Sequence, residues 1–417
     1  MKIKNLLIAL GLASIAGVGW YVLNEDGNKE AAYVPRSDYN KLATGAEGAF
    51  EYYEMIKGNV YTGKVEKEDI LTMQTALKKN KVPKAKNSDI SWESMGPDNV
   101  GGRTRAILEL NDDPNTLLAG GVSGGIFRTN DAAQSWSVVP GFDPYLIVSS
   151  MAQLDVEGRP IYVATGNSRE RAQGVGGSGF IGRGLFVSND NGQTFELVND
   201  FEPSPYSTGS IWSNIDVIKA DPVVPNKLWI GSNFGLYPFI HGSSELEETT
   251  LFIETQSGST IPVTSNVKDL DISADGQNFL VAAGDAIFVS RDAGETFTHV
   301  NCSSCFSGID VTDLGATEVV ISQNDADIMY VTISQGNGFL RGIYATVDGG
   351  LNWNLIAPQS NAGGQISQFA PFFNGLTSQG WYDNMLTSVP NSESEQIIMG
   401  GIRLWKYELV GATPGIT

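Results

Sequence analysis

Cysteine and histidine are almost missing from this chain of 417 residues, which has two of each. The cysteines form Cys302-Ser303-Ser304-Cys305, and Phe306 stands where haem attachment would need a histidine. Two cysteines with nearby His299 do not complete a zinc site, so no metal and no cofactor is expected. Charge is also sparse, at 18% of residues, and basic residues are the minority: 27 Lys and Arg against 47 Asp and Glu, a net −20. Residues 1–88 carry 13 basic and 10 acidic residues (+3), and residues 89–417 carry the other 14 and 37 (−23). So acidic a body repels phosphate backbones, which excludes nucleic acid as a partner.

Long hydrophobic runs are equally scarce. The N-terminal one, Leu6 to Leu23, carries no charge and follows Lys2 and Lys4. A basic start before an apolar stretch is the pattern of an export signal, with Ala13, Ala16 and Gly17 as small residues suited to cleavage. The run is also about long enough to stay as a bilayer anchor. Residues 1–23 therefore read as signal peptide or membrane anchor, and the rest of the chain as exported to the cell envelope (periplasm or surface) or the medium. In that setting a close Cys302–Cys305 pair is expected to be a disulfide pinning a loop.

Glycine is plentiful, 48 residues, as turn-rich all-β chains require. Residues 24–36 read as a polar linker. Residues 37–88 read as a short helical hairpin: Ser37 is a candidate N-cap, and Leu42, Ala46, Phe50, Tyr53 and Ile56 recur at helical spacing. A second stripe, Ile70, Met73 and Leu77, follows. From Asp89 the pattern changes to strands, and one phrase returns six times: Gly, an aliphatic residue, an aromatic. Its aromatics are Phe127, Phe186, Tyr237, Phe288, Tyr344 and Trp405, a period of about 50 to 60 residues. Short strands at such a period imply propeller blades. The expected fold is an all-β propeller over residues 89–417 with six blades, or seven if residues 241–262 hide another. Inner strands are expected at Thr104–Leu110, Val148–Asp155, Ile211–Ile218, Asn266–Ser273, Thr317–Gln323 and Tyr382–Val389. Residues 89–96 resemble a fourth strand, Ser91-Trp92 matching Ser135-Trp136, and are expected to complete blade six and close the ring.

Four turns share a longer pattern: Ser188-Asn189-Asp190-Asn191-Gly192-Gln193-Thr194-Phe195, its counterparts at Ser290–Phe297 and Thr346–Trp353, and Thr129–Trp136, where Ala133 replaces the glycine. The Asp can accept N–H bonds from its own turn, and Gly supplies a backbone angle that other residues avoid. These turns resemble the Asp-box, or BNR repeat, of secreted β-propellers. The chain is most similar to bacterial secreted BNR-repeat proteins, and more distantly to sortilin-type, sialidase and xyloglucan hydrolase propellers. The resemblance implies structural roles for Asp131, Asp190, Asp292 and Asp348. It also allows a test of two activities. Sialidases need three Arg, for which Arg103, Arg105 and Arg183 are available, but their Arg-Ile-Pro signature is absent. Xyloglucan hydrolases carry a catalytic Asp where Ser123 stands here, and a serine cannot act as the carboxylate base of glycoside hydrolysis.

The long connections (Gly96–Arg103, Gly166–Ile181, Ser334–Leu340 and Ala357–Gln379) fall on one face, where a scaffold of this kind places binding residues. Arg103, Arg169, Arg171, Trp212, Trp381 and Tyr382 are the candidate binding residues there. Trp212 and Trp381 would alternatively plug the channel. The expected function is a non-catalytic, exported recognition or scaffold module for a protein or glycan of the envelope, with possible attachment through residues 6–23. One alternative is a glycoside hydrolase using Asp98, Glu170 and Asp383. Another is a subunit of a larger envelope or secretion-associated complex, docked through residues 37–80.

Overall fold

The computed structural model describes residues 59, 61, 72, 102–122, 125–142, 146–167, 182–198, 211–243, 249–254, 260–263, 266–301, 308–309, 315–357, 371–372, 378–381, 383–390 and 394–409. Two compact units divide the chain, Met1–Val65 and Glu66–Thr417, and the propeller lies in the second. Blade one holds β1 (Thr104–Leu110), β2 (Asp113–Gly121), β3 (Ile126–Thr129) and β4 (Ser137–Val138). Blade two holds β5 (Val148–Gln153), β6 (Ile161–Thr165), β7 (Leu185–Ser188) and β8 (Glu196–Leu197). Blade three holds β9 (Ile215–Ala220), β10 (Lys227–Ser232) and β11 (Gly235–Ile240), and is followed by a hairpin of β12 (Leu251–Glu254) and β13 (Thr260–Val263). Blade four holds β14 (Val267–Ile272), β15 (Phe279–Ala283), β16 (Ala286–Ser290) and β17 (Thr298–His299). Blade five holds β18 (Thr317–Ile321), β19 (Met329–Ser334), β20 (Leu340–Thr346) and β21 (Asn354–Ala357). Blade six holds β22 (Met385–Ser388), β23 (Glu395–Gly400) and β24 (Leu404–Leu409). Within every blade the strands pair in chain order and antiparallel, as up-and-down meanders.

The burial pattern follows from this stacking. Second strands have a neighbouring blade on each face, so β6, β15 and β19 are buried at every residue and read as unbroken apolar runs. The core lies in layers between blades. Leu118, Ile126, Val148 and Phe186 pack between blades one and two, and Tyr162, Leu185, Ile215 and Phe239 between two and three. Trp229 meets Phe279 edge-on at 4.9 Å between three and four. Val289 and Tyr344 join four to five, and Tyr330 and Tyr407 join five to six. Close approach of the blades depends on glycine at the second strand: a Cβ on Gly120 would lie 2.4 Å from Val148 Cγ1, and one on Gly231 would lie 2.6 Å from Val267 Cγ1. Consecutive inner strands pack side by side from β1 to β22; among the described residues β22 and β1 approach less closely, and no core cluster joins blade six to blade one.

The four Asp turns are self-contained. In blade two, Asp190 Oδ1 accepts from Ser188 Oγ (2.7 Å) and from the backbone N–H groups of Gln193 (3.0 Å) and Thr194 (2.9 Å), while Oδ2 accepts from Thr194 Oγ1 (2.6 Å). Asp131, Asp292 and Asp348 repeat the pattern. Such bonds favour the ionised form, and they hold Asp131 at a pKa of about 2, chiefly through Ser135 and Thr129. Each turn passes two residues through positive φ: Asn191 and Gly192, Ala293 and Gly294, Gly349 and Gly350, and in blade one Ala132 (53°) and Ala133 (67°). Where the second is glycine it also makes room for the preceding blade, since a Cβ on Gly192 would meet Leu118, on Gly294 Trp229 and on Gly350 Val289, each at 2.9 Å.

Two expectations need correction. Residues 241–262 are not a seventh blade: their described part is the two-stranded β12–β13 hairpin, whose approach pairs Thr249 with Leu236 on the outer edge of blade three. Residues Ile211–Ser213, expected to begin an inner strand, form a 3₁₀ turn, and β9 starts at Ile215. A short apolar run is buried in either conformation, so composition could not separate them. The signal or anchor (1–23), the linker, the closing strand 89–96 and the Cys302–Cys305 pair lie outside the described residues, as does the helical segment apart from three isolated positions.

Candidate functional site

The inner strands β1, β5, β9, β14, β18 and β22 surround the propeller axis, and their alternation sends every second side chain toward it. On β1, Ala106 joins the core while Arg105 and Ile107 face the axis; on β14, Leu270 and Ile272 join the core while Asp269 and Asp271 face the axis. The result is a cavity of about 480 Å³ at the end where the inner strands begin, with lining residues from all six blades. A second cavity of about 390 Å³ continues toward the opposite face and shares Lys219, Asp269 and Glu318 with the first. The upper cavity opens on the face where the second strands end, at Val122 and Gly400.

Beta-bulges shape its mouth. In blades one to four the inner strand holds one extra residue near its start relative to its partner: Arg105 between the pairs at Thr104 and Ala106, Ser149 between Val148 and Ser150, Asp216 between Ile215 and Val217, and Lys268 between Val267 and Asp269. A bulge re-aims the side chain it carries. Arg105, Ser149 and Asp216 thereby line the cavity. Ser149 Oγ also donates to Ile215 O on blade three, and Lys268 Nζ donates to Gly315 O at 3.0 Å on blade five.

The charged groups have distinct duties. Asp269 accepts the N–H of Val319 and Asp271 that of Ile321, both at 2.9 Å, so these carboxylates of blade four hold the inner strand of blade five. Lys219 Nζ lies 3.0 Å from Asp271 Oδ1, and that carboxylate, with Asp269 behind it, holds the ammonium charged above its ordinary range. At the mouth, burial pushes the Asp383 carboxyl up, partly opposed by the positive charge of Arg103. Asn384 beside it accepts from Thr332 Oγ1 (3.0 Å) and donates to Ala316 O (3.3 Å), fixing this corner to blade five. The opposite wall is apolar and open: Ile107 is 69% exposed, Met385 42% and Leu404 74%.

Of the residues singled out from sequence, Arg103 and Asp383 meet at this cavity. Trp212 is buried with Tyr162, Ile215 and Tyr237 between blades two and three and does not line it. Trp381 is half-buried beside Gly338, on the blade-five side of the mouth, and is also absent from the lining. Asp98, Arg169, Glu170, Arg171 and Tyr382 lie outside the described residues. Sequence reasoning passed over Asp216, Lys219, Asp269, Glu318 and Ile107. The available signal was charge inside strands otherwise built for burial, as in Ile215-Asp216-Val217-Ile218-Lys219 and Val267-Lys268-Asp269-Leu270-Asp271. No cluster of His, Cys, Asp and Glu suited to a metal ion occurs among the described residues.

No family model and no curated protein matches the sequence. Among solved structures, an ancestral GH74 enzyme is similar at 16% identity and a TM-score of 0.51, over 75% of this chain and 40% of that one. The GH74 xyloglucanase from Xanthomonas campestris is similar at 15% identity and a TM-score of 0.46, over 75% and 46%. The extracellular domain of a one component system from B. thetaiotaomicron is similar at 12% identity and a TM-score of 0.45, over 76% and 33%. The chain thus spans less than half the length of each of these structures, and the likeness to the first is one of fold: a β-propeller.

Proposed function

We propose that this chain is an exported propeller of the Asp-box type that acts as a non-catalytic recognition module, binding its partner at the mouth of the central channel. The observation that carries the reading is the 480 Å³ cavity itself, lined from every blade and walled by exposed Ile107, Met385 and Leu404 opposite Asp216, Asp269 and Glu318. Cavities of about 300–1,000 Å³ with an apolar wall and a few placed polar groups are where proteins hold ligands. Asp269 of this cavity and Asp271 of the one below already hold the inner strand of blade five, which favours binding over turnover. Export rests on Lys2, Lys4 and the uncharged run Leu6–Leu23.

The test compares the full chain with its Ile107→Trp variant in capture from solubilised envelope. Ile107 is exposed, so the larger ring fills the cavity without disturbing the core. Loss of a stoichiometric partner in the variant is the expected result, and undiminished capture would exclude the channel mouth. Mass spectrometry of the N-terminus from fractionated cells reads export in the same preparation. The second reading is a glycoside hydrolase, favoured by one observation: Asp383 is a cavity carboxyl whose pKa is raised, as a general acid requires. Release of reducing ends from xyloglucan by the full chain, abolished in Asp383→Asn, would establish it; no release would leave recognition as the function.

A further inference from the structure

We infer that blades five and six enclose a binding site for one internal water molecule, held by Tyr330 Oη, Tyr407 Oη and Glu395 Oε1. This site is independent of what the channel mouth binds. Tyr330 on β19 is 0% exposed and Tyr407 on β24 is 7% exposed, and both lie in the core layer between the two blades with Ile343, Ile397 and Met399. Glu395 begins β23 beside them. Its Oε2 is engaged, accepting from Ser322 Oγ at 2.7 Å and from Asn324 Nδ2 at 3.2 Å. The two phenol oxygens and Oε1 are buried and make no hydrogen bond to a described residue. The three groups are neighbours. Burial, and after it the charge of Glu395 and the nearness of Tyr407, pushes the ionisation of the Tyr330 hydroxyl up. Burial also pushes Tyr407 up to about 12, so both phenols keep their protons at neutral pH. They are close to the carboxylate without the alignment of a direct bond.

An equivalent seam shows how this chain treats a buried phenol. Tyr162 in blade two and Tyr330 in blade five each precede the second-strand residue that pairs with the aromatic of the repeated phrase, Val163 with Phe186 and Val331 with Tyr344. Phe239 and Tyr407 each lie two residues beyond that aromatic in the next blade. In the seam of blades two and three, Tyr162 Oη shares a hydrogen bond of 2.6 Å with His241 Nδ1, and Phe239 brings no polar atom. In the seam of blades five and six, Tyr407 brings a second hydroxyl in place of that phenyl ring. Folded proteins pair nearly all such buried atoms, because leaving them unpaired is costly. The surrounding Ile343, Ile397 and Met399 side chains offer neither donor nor acceptor. Each phenol has one proton to give and the carboxylate oxygen can only accept. A water accepts one proton from each phenol and donates one to Oε1, three bonds in all, which is the usual complement of a buried water. A cation would find one carboxylate oxygen and two protonated phenols, a weak set of ligands. The way in is short: Gln323, between Ser322 and Asn324, lines the lower cavity with Ser388 and Pro390.

The test is a high-resolution crystal structure of the full chain, together with Tyr→Phe variants in urea denaturation. The expected density is one peak at about 2.6–3.2 Å from all three oxygens. Tyr330→Phe and Tyr407→Phe should each raise the unfolding constant roughly tenfold, and the double variant by much less than about a hundredfold, since both bonds go to one molecule. Tyr330→Phe combined with Tyr162→Phe, which acts in a separate seam, should reach the full product of its two single effects. Tyr330 Oη bonded directly to Glu395 Oε1 with no peak between them would overturn the inference. A peak at about 2.3–2.6 Å would overturn it in favour of a cation. Effects of Tyr330→Phe and Tyr407→Phe that multiply as fully as those of the separate seams would also overturn it, because the two hydroxyls would then share nothing.

Discussion

Replacing Asp271 by alanine tests whether the channel carboxylates hold the ring together. Asp271 is buried, accepts the Ile321 N–H at 2.9 Å and pairs with Lys219 at 3.0 Å. Alanine removes both. The Ile321 N–H belongs to a fully buried residue and faces the channel, so it loses its acceptor at a cost of about 1–3 kcal/mol. The ion pair contributes less: the Lys219 side chain is 45% exposed, and a pair so hydrated is worth about 0–1 kcal/mol. Water entering from the adjoining 390 Å³ cavity offsets part of the loss. The net expectation is about 2 kcal/mol, or a fall in melting temperature of roughly 3 °C for a propeller of this size. Asp271→Asn has the same size and keeps an acceptor for the N–H, so it should cost only about 0–1 kcal/mol. Urea denaturation followed by tryptophan fluorescence measures both. Equal losses in the two variants, or an alanine loss under about 0.5 kcal/mol, would show that the strand-to-strand bond contributes nothing and that the assignment of Asp271 is wrong.

Three further outcomes follow from the turns and from the channel cation. Ala133→Gly should stabilise the protein by about 0.5–1 kcal/mol, because the strain of alanine at positive φ, about 1–2 kcal/mol, exceeds the chain entropy that glycine adds; a lower urea midpoint would refute this. Asp131, Asp190, Asp292 and Asp348 all have pKa values below the ordinary 3.8, so their contribution is complete above pH 3.8 and is lost as pH falls toward 2. Urea midpoints measured between pH 5 and 2 should therefore drop most steeply below about 4 and less steeply in Asp131→Asn. Lys219 has a raised pKa, so its contribution is present below 10.5 and disappears as pH rises beyond the folded value. The stability gap between wild type and Lys219→Met should be flat from pH 7 to 10 and close above it, and a gap that widens would reverse the assignment.

The fold was legible because each blade repeats a local phrase. The Gly-aliphatic-aromatic strand and the Asp turn are short-range patterns, and sequence can state short-range patterns. Blade count was harder. Leu251–Glu254 and Thr260–Val263 have good strand composition, and nothing local tells a hairpin on the edge of blade three from the start of another blade. The channel was largely hidden, for a physical reason. Its mouth is formed by bulges, and a bulge belongs to the pairing of two strands rather than to either one. Arg105, Ser149 and Asp216 occupy equivalent positions and share no chemistry. Trp212 illustrates the reverse error: an aromatic near a strand start suggests a binding platform, and here it fills the layer between two blades.

The inner strands can also be seen as staves held by a hoop. Side chains tie each stave to the next at several joints: Ser149 and Ser150 to blade three, Lys219 from blade three to four, Asp269 and Asp271 to blade five, and Asn384 from blade six back to five. At the joint from six to one the charges of Arg103 and Asp383 meet at the mouth, exposed Ile107 and Leu404 line the cavity, and Ala133 stands in place of glycine in the turn of blade one. Whatever seats itself between Ile107 and Leu404 would touch the first and last blades at once, and would brace the two ends of the chain's circuit against each other.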